Sequence, residues 1–120
     1  MQAVVFAIAL LAPAVLPSDS NFVVPESLVG SWASSPASCG SDADDLALRI
    51  TPRQIVHWES DGPIKAVVVL GNEIALIAEL SGEGETWLNA VKFELSADGR
   101  RLTDSTTVPG KEIVRYRCSE

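Results

Sequence analysis

Short apolar stretches alternate with turn residues along most of the chain. From residue 28 onward, segments rich in Gly, Pro, Asp or Ser interrupt the apolar stretches at intervals of roughly 8 to 12 residues, a spacing typical of β-sandwiches and β-barrels. No segment carries the 3.6-residue apolar period of an amphipathic helix. The pattern therefore predicts an all-β protein.

Eight segments have the composition and length of strands. Two dipeptides, Asp61-Gly62 and Asp98-Gly99, are predicted hairpin turns, because glycine tolerates the positive φ that tight hairpins require. The run 64–70 is continuously apolar and rich in β-branched residues, which predicts a central strand. The predicted strands are 28–34, 46–50, 54–60, 64–70, 73–80, 87–95, 101–108 and 111–118.

The short connections favour antiparallel pairing of successive strands. Closure of about eight strands into a small up-and-down β-barrel removes the exposed edges on which a run such as 67–70 would aggregate. We therefore predict an antiparallel β-barrel, with a two-sheet sandwich as the alternative.

The N-terminus has a different composition. Residues 3–16 are apolar except Pro13, and none is charged. The run is shorter than the ~20 residues that span a bilayer, but it suits the core of a signal peptide, and Ala12-Pro13-Ala14 has the small-x-small pattern of a cleavage site. No Lys or Arg precedes the run, and a buried strand or an uncleaved anchor is the alternative. We predict a signal peptide at 1–14, a lead-in at 15–27 and the barrel at 28–120, exported to the periplasm or beyond, with no membrane span after cleavage.

The two cysteines agree with export. Cys39 and Cys118 are 79 positions apart, and an even number of cysteines in an exported chain predicts a disulfide. Two free thiols or half of a metal site are the alternatives. The spacing is far from that of a C-x-x-C site, and the chain has one histidine.

Charge narrows the class of partner. The chain has 16 acidic and 9 basic side chains, for a net charge of -7, which excludes a nucleic-acid-wrapping surface and suits a cationic partner. Two acidic segments stand out, residues 42–45 and 83–85. We expect Asp42, Asp44 and Asp45 to be solvated loop charges, because the register of a calcium loop is absent.

Catalytic chemistry finds little support. His57, the single histidine, is predicted to lie in mid-strand, away from a nucleophile and an orienting acid. We predict a non-enzymatic protein with no catalytic residues, no metal site and no cofactor. The enzymatic alternative would use Glu83 or Glu85 together with His57.

The turn at 81–84 carries the most suggestive binding residues. Trp87 follows it closely, and Glu83 and Glu85 flank its tip. A tryptophan at a loop mouth can anchor a partner, or it can cap the end of the barrel. Glu83, Glu85 and Trp87 form the predicted binding site.

The motif Gly30-Ser31-Trp32 resembles the first strand of the calycin superfamily, which contains lipocalins, avidins and related bacterial barrels. In that superfamily the tryptophan plugs one barrel end and an arginine near the last strand packs over it. The resemblance implies that Trp32 packs at a barrel end with Arg115 or Arg117, a contact that cation–π attraction would stabilise.

The turn from Ser81 to Trp87 is similar to that of periplasmic inhibitors of c-type lysozyme, small disulfide-bearing barrels whose loop enters the enzyme's cleft. Glu83 and Glu85 depart from that family's weakly basic loop. Two hypotheses follow. The first is an exported binding protein whose ligand is an unknown small apolar molecule or a cationic protein. The second is an inhibitor of a cationic host enzyme such as c-type lysozyme.

Overall fold

Eight antiparallel strands form a closed barrel in the computed structural model, which describes residues 23–119. Each strand pairs with the next along the chain, and the last pairs with the first. The predicted eight-stranded up-and-down barrel and its disulfide are confirmed. The strands are β1 Gly30–Ala33, β2 Leu48–Ile50, β3 Gln54–Val56, β4 Asp61–Leu70, β5 Glu73–Gly82, β6 Glu85–Leu95, β7 Arg101–Asp104 and β8 Ile113–Arg117, with 3-10 turns at Glu26–Leu28 and Pro36–Ser38.

The predicted signal peptide at 1–14 and the first part of the predicted lead-in, 15–22, lie outside the described residues. Between residues 23 and 119, no helix has both the length and the apolar character needed to cross a bilayer.

In β5 and β6, alternate side chains point into the barrel. Successive inward positions are almost fully buried, while most of their neighbours are more exposed. Apolar side chains from all the strands except β8 form the core of the barrel, together with two residues that precede β1. The cluster comprises Val24, Leu28, Trp32, Leu48, Ile50, Ile55, Ile64, Ile74, Leu76, Ala78, Leu80, Val91, Phe93, Leu95 and Leu102.

The chain reverses between β3 and β4 at residues 57–60, where the His57 amide donates to the Ser60 carbonyl at 2.7 Å. The prediction of a turn at Asp61-Gly62 is therefore wrong, because both residues belong to β4. Glycine is required at position 62 for a reason other than a turn. A Cβ at this position would overlap the carbonyl oxygen of Glu79, so glycine allows β4 to cross β5 closely.

Strand β4 is not the central strand that its apolar run predicts. It pairs with β3 only over Asp61–Pro63, and a β-bulge interrupts its pairing with β5 between Ile64 and Ala66. Beyond the bulge, Val68 and Leu70 are exposed by 57% and 70%. A continuous apolar run fits burial on both faces, but here β4 extends past its neighbour β3 and the run lies at an edge.

The disulfide reinforces the seam where the barrel closes. β1 and β8 pair at only two positions, Trp32 with Arg117 and Ala33 with Tyr116. Cys118 directly follows β8 and is bonded to Cys39, which lies in the loop after β1. The bond thus joins the first and last strands of the barrel next to a pairing of only two positions.

Candidate functional site

The predicted binding residues Glu83, Glu85 and Trp87 line one cleft at an end of the barrel. The cleft has a volume of about 320 Å³ and lies between the β3–β4 turn and the β5–β6 hairpin. Glu59, Ser60 and Gly82 complete its lining. We refer to these six residues as the acidic cleft.

A close backbone approach forms the acidic cleft. A Cβ at Gly82 would lie 2.5 Å from the Glu59 carbonyl oxygen, so only glycine lets the hairpin pack directly on the turn. The hairpin itself is tight, since Gly82 pairs with Glu85 and leaves a two-residue tip. Both tip residues have positive φ, 52° for Glu83 and 82° for Gly84, as such tips require.

The acidic cleft is a site of uncompensated negative charge. Glu59, Glu83 and Glu85 are exposed, and no lysine or arginine contributes to the lining. The salt bridges found among residues 23–119 lie elsewhere, at Lys92–Glu73 and Arg115–Asp104. In the same part of the chain, no three His, Cys, Asp or Glu side chains are grouped closely enough to hold a metal ion. The cleft therefore presents carboxylates that are not paired with a basic side chain in its lining.

Two tryptophans stand at this end of the barrel. Trp87 is 41% exposed and also lines an adjoining cleft of about 310 Å³, where it is joined by Trp58 and His57. Trp58 is 52% exposed, and its indole N–H donates to the Asp42 carbonyl at 3.2 Å. A cation that enters the acidic cleft would therefore meet an aromatic surface as well as carboxylates.

Sequence reasoning missed Glu59 and Trp58. It assigned both residues to a strand of 54–60, whereas β3 ends at Val56. The nearby Asp61-Gly62 pair indicates a turn, but the chain reverses earlier, at residues 57–60, and both residues of the pair belong to β4. The pairing of this turn with residues 82–85 depends on contacts more than 20 positions apart, which no local pattern specifies.

Charged side chains are buried inside the barrel. Asp104 is 2% exposed and Arg115 is 5% exposed, and Arg115 Nη1 lies 4.0 Å from Asp104 Oδ2. Arg115 Nε donates to the Leu46 carbonyl at 2.6 Å. Of the two candidate arginines for the contact with Trp32, Arg115 is therefore not the one that makes it. Arg115 faces the lumen instead, as the partner of a buried carboxylate.

Asp104 also ends β7, which is shorter than the predicted strand at 101–108. Its carboxylate accepts hydrogen bonds from the amides and hydroxyls of Thr106 and Thr107. Burial alone would raise the pKa of Asp104, but these hydrogen bonds outweigh it and lower the pKa. The group is thus held as a carboxylate next to Arg115.

Asp44 does not fit the expectation of a solvated charge. It is 7% exposed and accepts hydrogen bonds from the amides of Ser34 and Leu46 at 2.9 and 3.1 Å. Burial opposes ionisation, but these hydrogen bonds and the charge of Arg115 lower the pKa of Asp44. Its role is therefore to order the long loop between β1 and β2.

His57 lines the cleft that Trp58 and Trp87 share. Burial lowers its pKa, and the charge of Arg115 lowers it further, against an opposing effect from Asp104. The imidazole is therefore neutral at pH 7. Its Nε2 atom is buried and has no hydrogen-bond partner within residues 23–119.

At a second site, Arg117 lies over Trp32, with the guanidinium carbon 4.3 Å from the ring centroid. This is the contact that the first resemblance implies for one of its two candidate arginines. Glycine at position 30 leaves space for the Arg117 side chain, because a Cβ there would lie 2.8 Å from Arg117 Nη1. The φ of Gly30 is 142°, which also favours glycine. The Gly-x-Trp spacing thus has a steric reason in this chain.

Comparison of the chain with models of known protein families, with curated protein sequences and with solved structures finds no match. The candidate site is therefore defined by its own geometry. The acidic cleft is the place where the predicted binding residues come together.

Proposed function

We propose that this protein is an exported, non-enzymatic binding protein whose acidic cleft takes a cationic group of a partner protein. One observation carries the proposal. Glu59, Glu83 and Glu85 surround a cleft that also contains the half-exposed Trp87, and no basic side chain lines it.

The chemistry of the cleft favours a lysine or arginine side chain as the bound group. A guanidinium or ammonium group attracts carboxylates and also the face of an indole ring. The net charge of -7 would speed the encounter with a cationic protein. A volume of about 320 Å³ is enough for one or two such side chains.

The alternative of a small apolar ligand inside the barrel has less support. Fifteen apolar side chains form the core cluster, and the large residues Trp32 and Phe93 are within it. A ligand in the lumen would have to displace this packing, at a cost of several kcal/mol. Binding at the barrel end leaves the core intact.

Export and the absence of catalysis belong to the same proposal. The apolar leader and the Cys39–Cys118 disulfide both suit an oxidising compartment. Mass spectrometry of the protein recovered from the expressing cell tests export. A mature N-terminus near residue 15 supports it, and an intact N-terminus contradicts it.

Calorimetric titration with an oligo-arginine peptide, and with an oligo-glutamate peptide of equal length, tests the cleft. We expect salt-dependent binding of the cationic peptide alone. The double variant Glu83→Gln/Glu85→Gln and the variant Trp87→Ala should each weaken it by about tenfold or more, equivalent to 1.4 kcal/mol. Glu94→Gln/Glu112→Gln removes the same charge from exposed positions outside the cleft and is the matched control. Equal weakening by the control pair would reject the cleft as the site.

Inhibition of a cationic enzyme such as c-type lysozyme is the second candidate. The two-residue tip supports it, since the left-handed Glu83 and Gly84 make a narrow acidic projection that fits a cleft. An assay of lysozyme activity tests it, with Glu83→Ala and Trp87→Ala as variants. Full lysozyme activity at micromolar protein would exclude this candidate and leave the peptide titration to decide the broader proposal.

A further inference from the structure

The segment of β4 after its bulge has an open edge. β3 covers β4 only at Asp61–Pro63, and the last hydrogen bond on that side is from the Ile64 amide to the Arg53 carbonyl, at 2.8 Å. From Lys65 to Leu70, β5 is the only strand that pairs with β4 in the described part of the chain. Backbone N–H and C=O groups along this edge are therefore available to another strand.

The side chains along this edge are apolar and exposed. Val68, Val69 and Leu70 are exposed by 57%, 46% and 70%. An apolar groove of about 300 Å³ continues from the edge across the outer face of the sheet, where Ala66 and Val68 lie beside Ala75 and Ile77. Exposed, contiguous apolar surface of this kind marks an interaction site.

From Ala66 to Leu70, after the bulge, the edge lacks the usual protection against strand pairing. Natural edges carry charged side chains, prolines or bulges that block another strand. Here Lys65 and the bulge come before the segment, and no charged residue or proline occurs from Ala66 to Asn72. The unprotected segment is β-branched at three consecutive positions, 67–69.

We propose that a second copy of this chain occupies the edge, with β4 of one molecule pairing antiparallel with β4 of the other about a two-fold axis near Val68. In this register Val68 lies opposite its own copy and Ala66 lies opposite Leu70. The β4–β6 sheets of two barrels then become one six-stranded sheet. The pairing buries the exposed β-branched side chains against each other, and such cross-strand pairs stabilise sheets.

Charge explains why the occupant is a second copy. Two molecules that each carry -7 can approach only through a surface without acidic groups, and residues 66–72 form such a surface. The same register brings Lys65 of each molecule opposite Gly71 of the other, close to that molecule's Glu73. Two-fold symmetry repeats this attraction at both ends of the interface.

Size-exclusion chromatography with light scattering measures the oligomeric state of the purified protein over a range of micromolar concentrations. We expect a dimer for the wild type and a monomer for Val68→Lys, which places a charge at the centre of the edge. Val108→Lys is the matched control, since Val108 is also an exposed valine, at 39%, but lies in the β7–β8 loop. Circular dichroism and the Tm show that each variant folds.

A charge exchange tests the register. Lys65→Glu and Glu73→Lys should each raise the dimer dissociation constant, by about tenfold if each disrupts both symmetric contacts. The double variant should restore wild-type dimerisation. This rescue does not depend on Val68 and would not occur if the lysine and the glutamate were far apart in the dimer.

The variant Leu88→Lys distinguishes edge pairing from an alternative dimer in which the apolar outer faces of two molecules stack on each other. Leu88 is exposed by 69% on β6, away from the β4 edge, so edge pairing leaves the dimer of this variant intact. A wild-type monomer throughout the concentration range, or a Val68→Lys protein that still dimerises, would overturn the proposal. So would a dimer that is lost in Leu88→Lys but kept in Val68→Lys. Peptide binding at the acidic cleft is measured separately, and neither result determines the other.

Discussion

Arg117 lies over the buried Trp32, with the guanidinium carbon 4.3 Å from the centroid of the indole ring. Trp32 is 1% exposed, and its indole N–H donates to the Leu28 carbonyl at 3.1 Å. Arg117 Nε donates to the Gly99 carbonyl at 3.0 Å, and Nη1 donates to the Val29 carbonyl at 2.9 Å. One planar cation thus connects the segment before β1 with β8 and the loop after β6.

Arg117→Lys should destabilise the fold although it keeps the charge. A lysine ammonium cannot donate to both carbonyls and contact the face of the indole ring at the same time. We therefore expect a loss of about 2–3 kcal/mol in the free energy of unfolding. Urea unfolding followed by tryptophan fluorescence measures it. Arg53→Lys, at an exposed arginine, is the control and should change stability by less than about 0.5 kcal/mol. Equal stability of the two variants would show that the guanidinium geometry is unimportant.

Gly62→Ala should be more harmful than Gly84→Ala, even though Gly62 has an ordinary backbone conformation. The added Cβ at Gly62 would overlap the carbonyl of Glu79, and β4 would have to move away from β5, at a cost of about 3 kcal/mol. Gly84 has φ of 82° but open space around it, so alanine there costs about 1 kcal/mol. Thermal unfolding of both proteins checks the order, and a larger loss for Gly84→Ala would contradict the close approach at Gly62.

Asp104 should make the fold sensitive to acid. Hydrogen bonds from Thr106 and Thr107 lower its pKa despite burial, so the folded state holds its proton less tightly than the unfolded state. The stability that this carboxylate contributes is therefore complete above its unfolded pKa and is lost as pH falls through the folded value, below about pH 4.

Asp104→Asn should remove part of that acid dependence and lower stability at pH 7 by about 3 kcal/mol, since Arg115 loses a buried counter-charge. Urea unfolding at a series of pH values measures both effects. The exposed Asp42 supplies the control, because Asp42→Asn removes an equal charge at the surface and should keep nearly all the stability at pH 7. An unchanged slope in Asp104→Asn would assign the acid sensitivity to other carboxylates.

Loss of the disulfide should weaken the barrel without changing its topology. The bond closes a loop across 79 positions, and chain entropy predicts about 4.5 kcal/mol for that length. We expect Cys39→Ala/Cys118→Ala to lose up to this amount in chemical unfolding while its far-UV circular dichroism at low temperature is retained. Reduction of the wild type should reproduce the effect, and no change in stability on reduction would contradict it.

The predictable part of the fold follows from local alternation. Residues 74, 76, 78 and 80 of β5 are all buried, as are 91, 93 and 95 of β6, because each face of a strand meets one environment. Local patterns gave wrong predictions for residues whose contacts are with a distant segment of the chain. The glycine of Asp61-Gly62 indicated a turn, although it is required by the carbonyl of Glu79. Asp44 is predicted to be a solvated loop charge, and Arg115 is one of two arginines predicted to pack over Trp32, but contacts with distant residues bury both.

The residues of the acidic cleft also fall into those that local sequence could predict and those that it could not. Glu83, Glu85 and Trp87 were predictable because a tight acidic turn next to a tryptophan is visible in a few consecutive residues. Glu59 and Gly82 were not, because their contact joins two turns across the barrel end.

The sequence by itself determined the strand periodicity, the number of strands, the cysteine pair and the charge of the hairpin tip, since each depends on neighbouring residues or on composition. The tertiary structure decided that the strands close into a barrel and do not form a two-sheet sandwich. Tertiary structure alone decided that the second half of β4 forms an open edge. It also decided that Arg117, and not Arg115, lies over Trp32. It also brought the Glu59 turn against the tip to form a cleft. The physical reason is that closing a barrel sets the stagger between strands, and that stagger decides which distant residues meet.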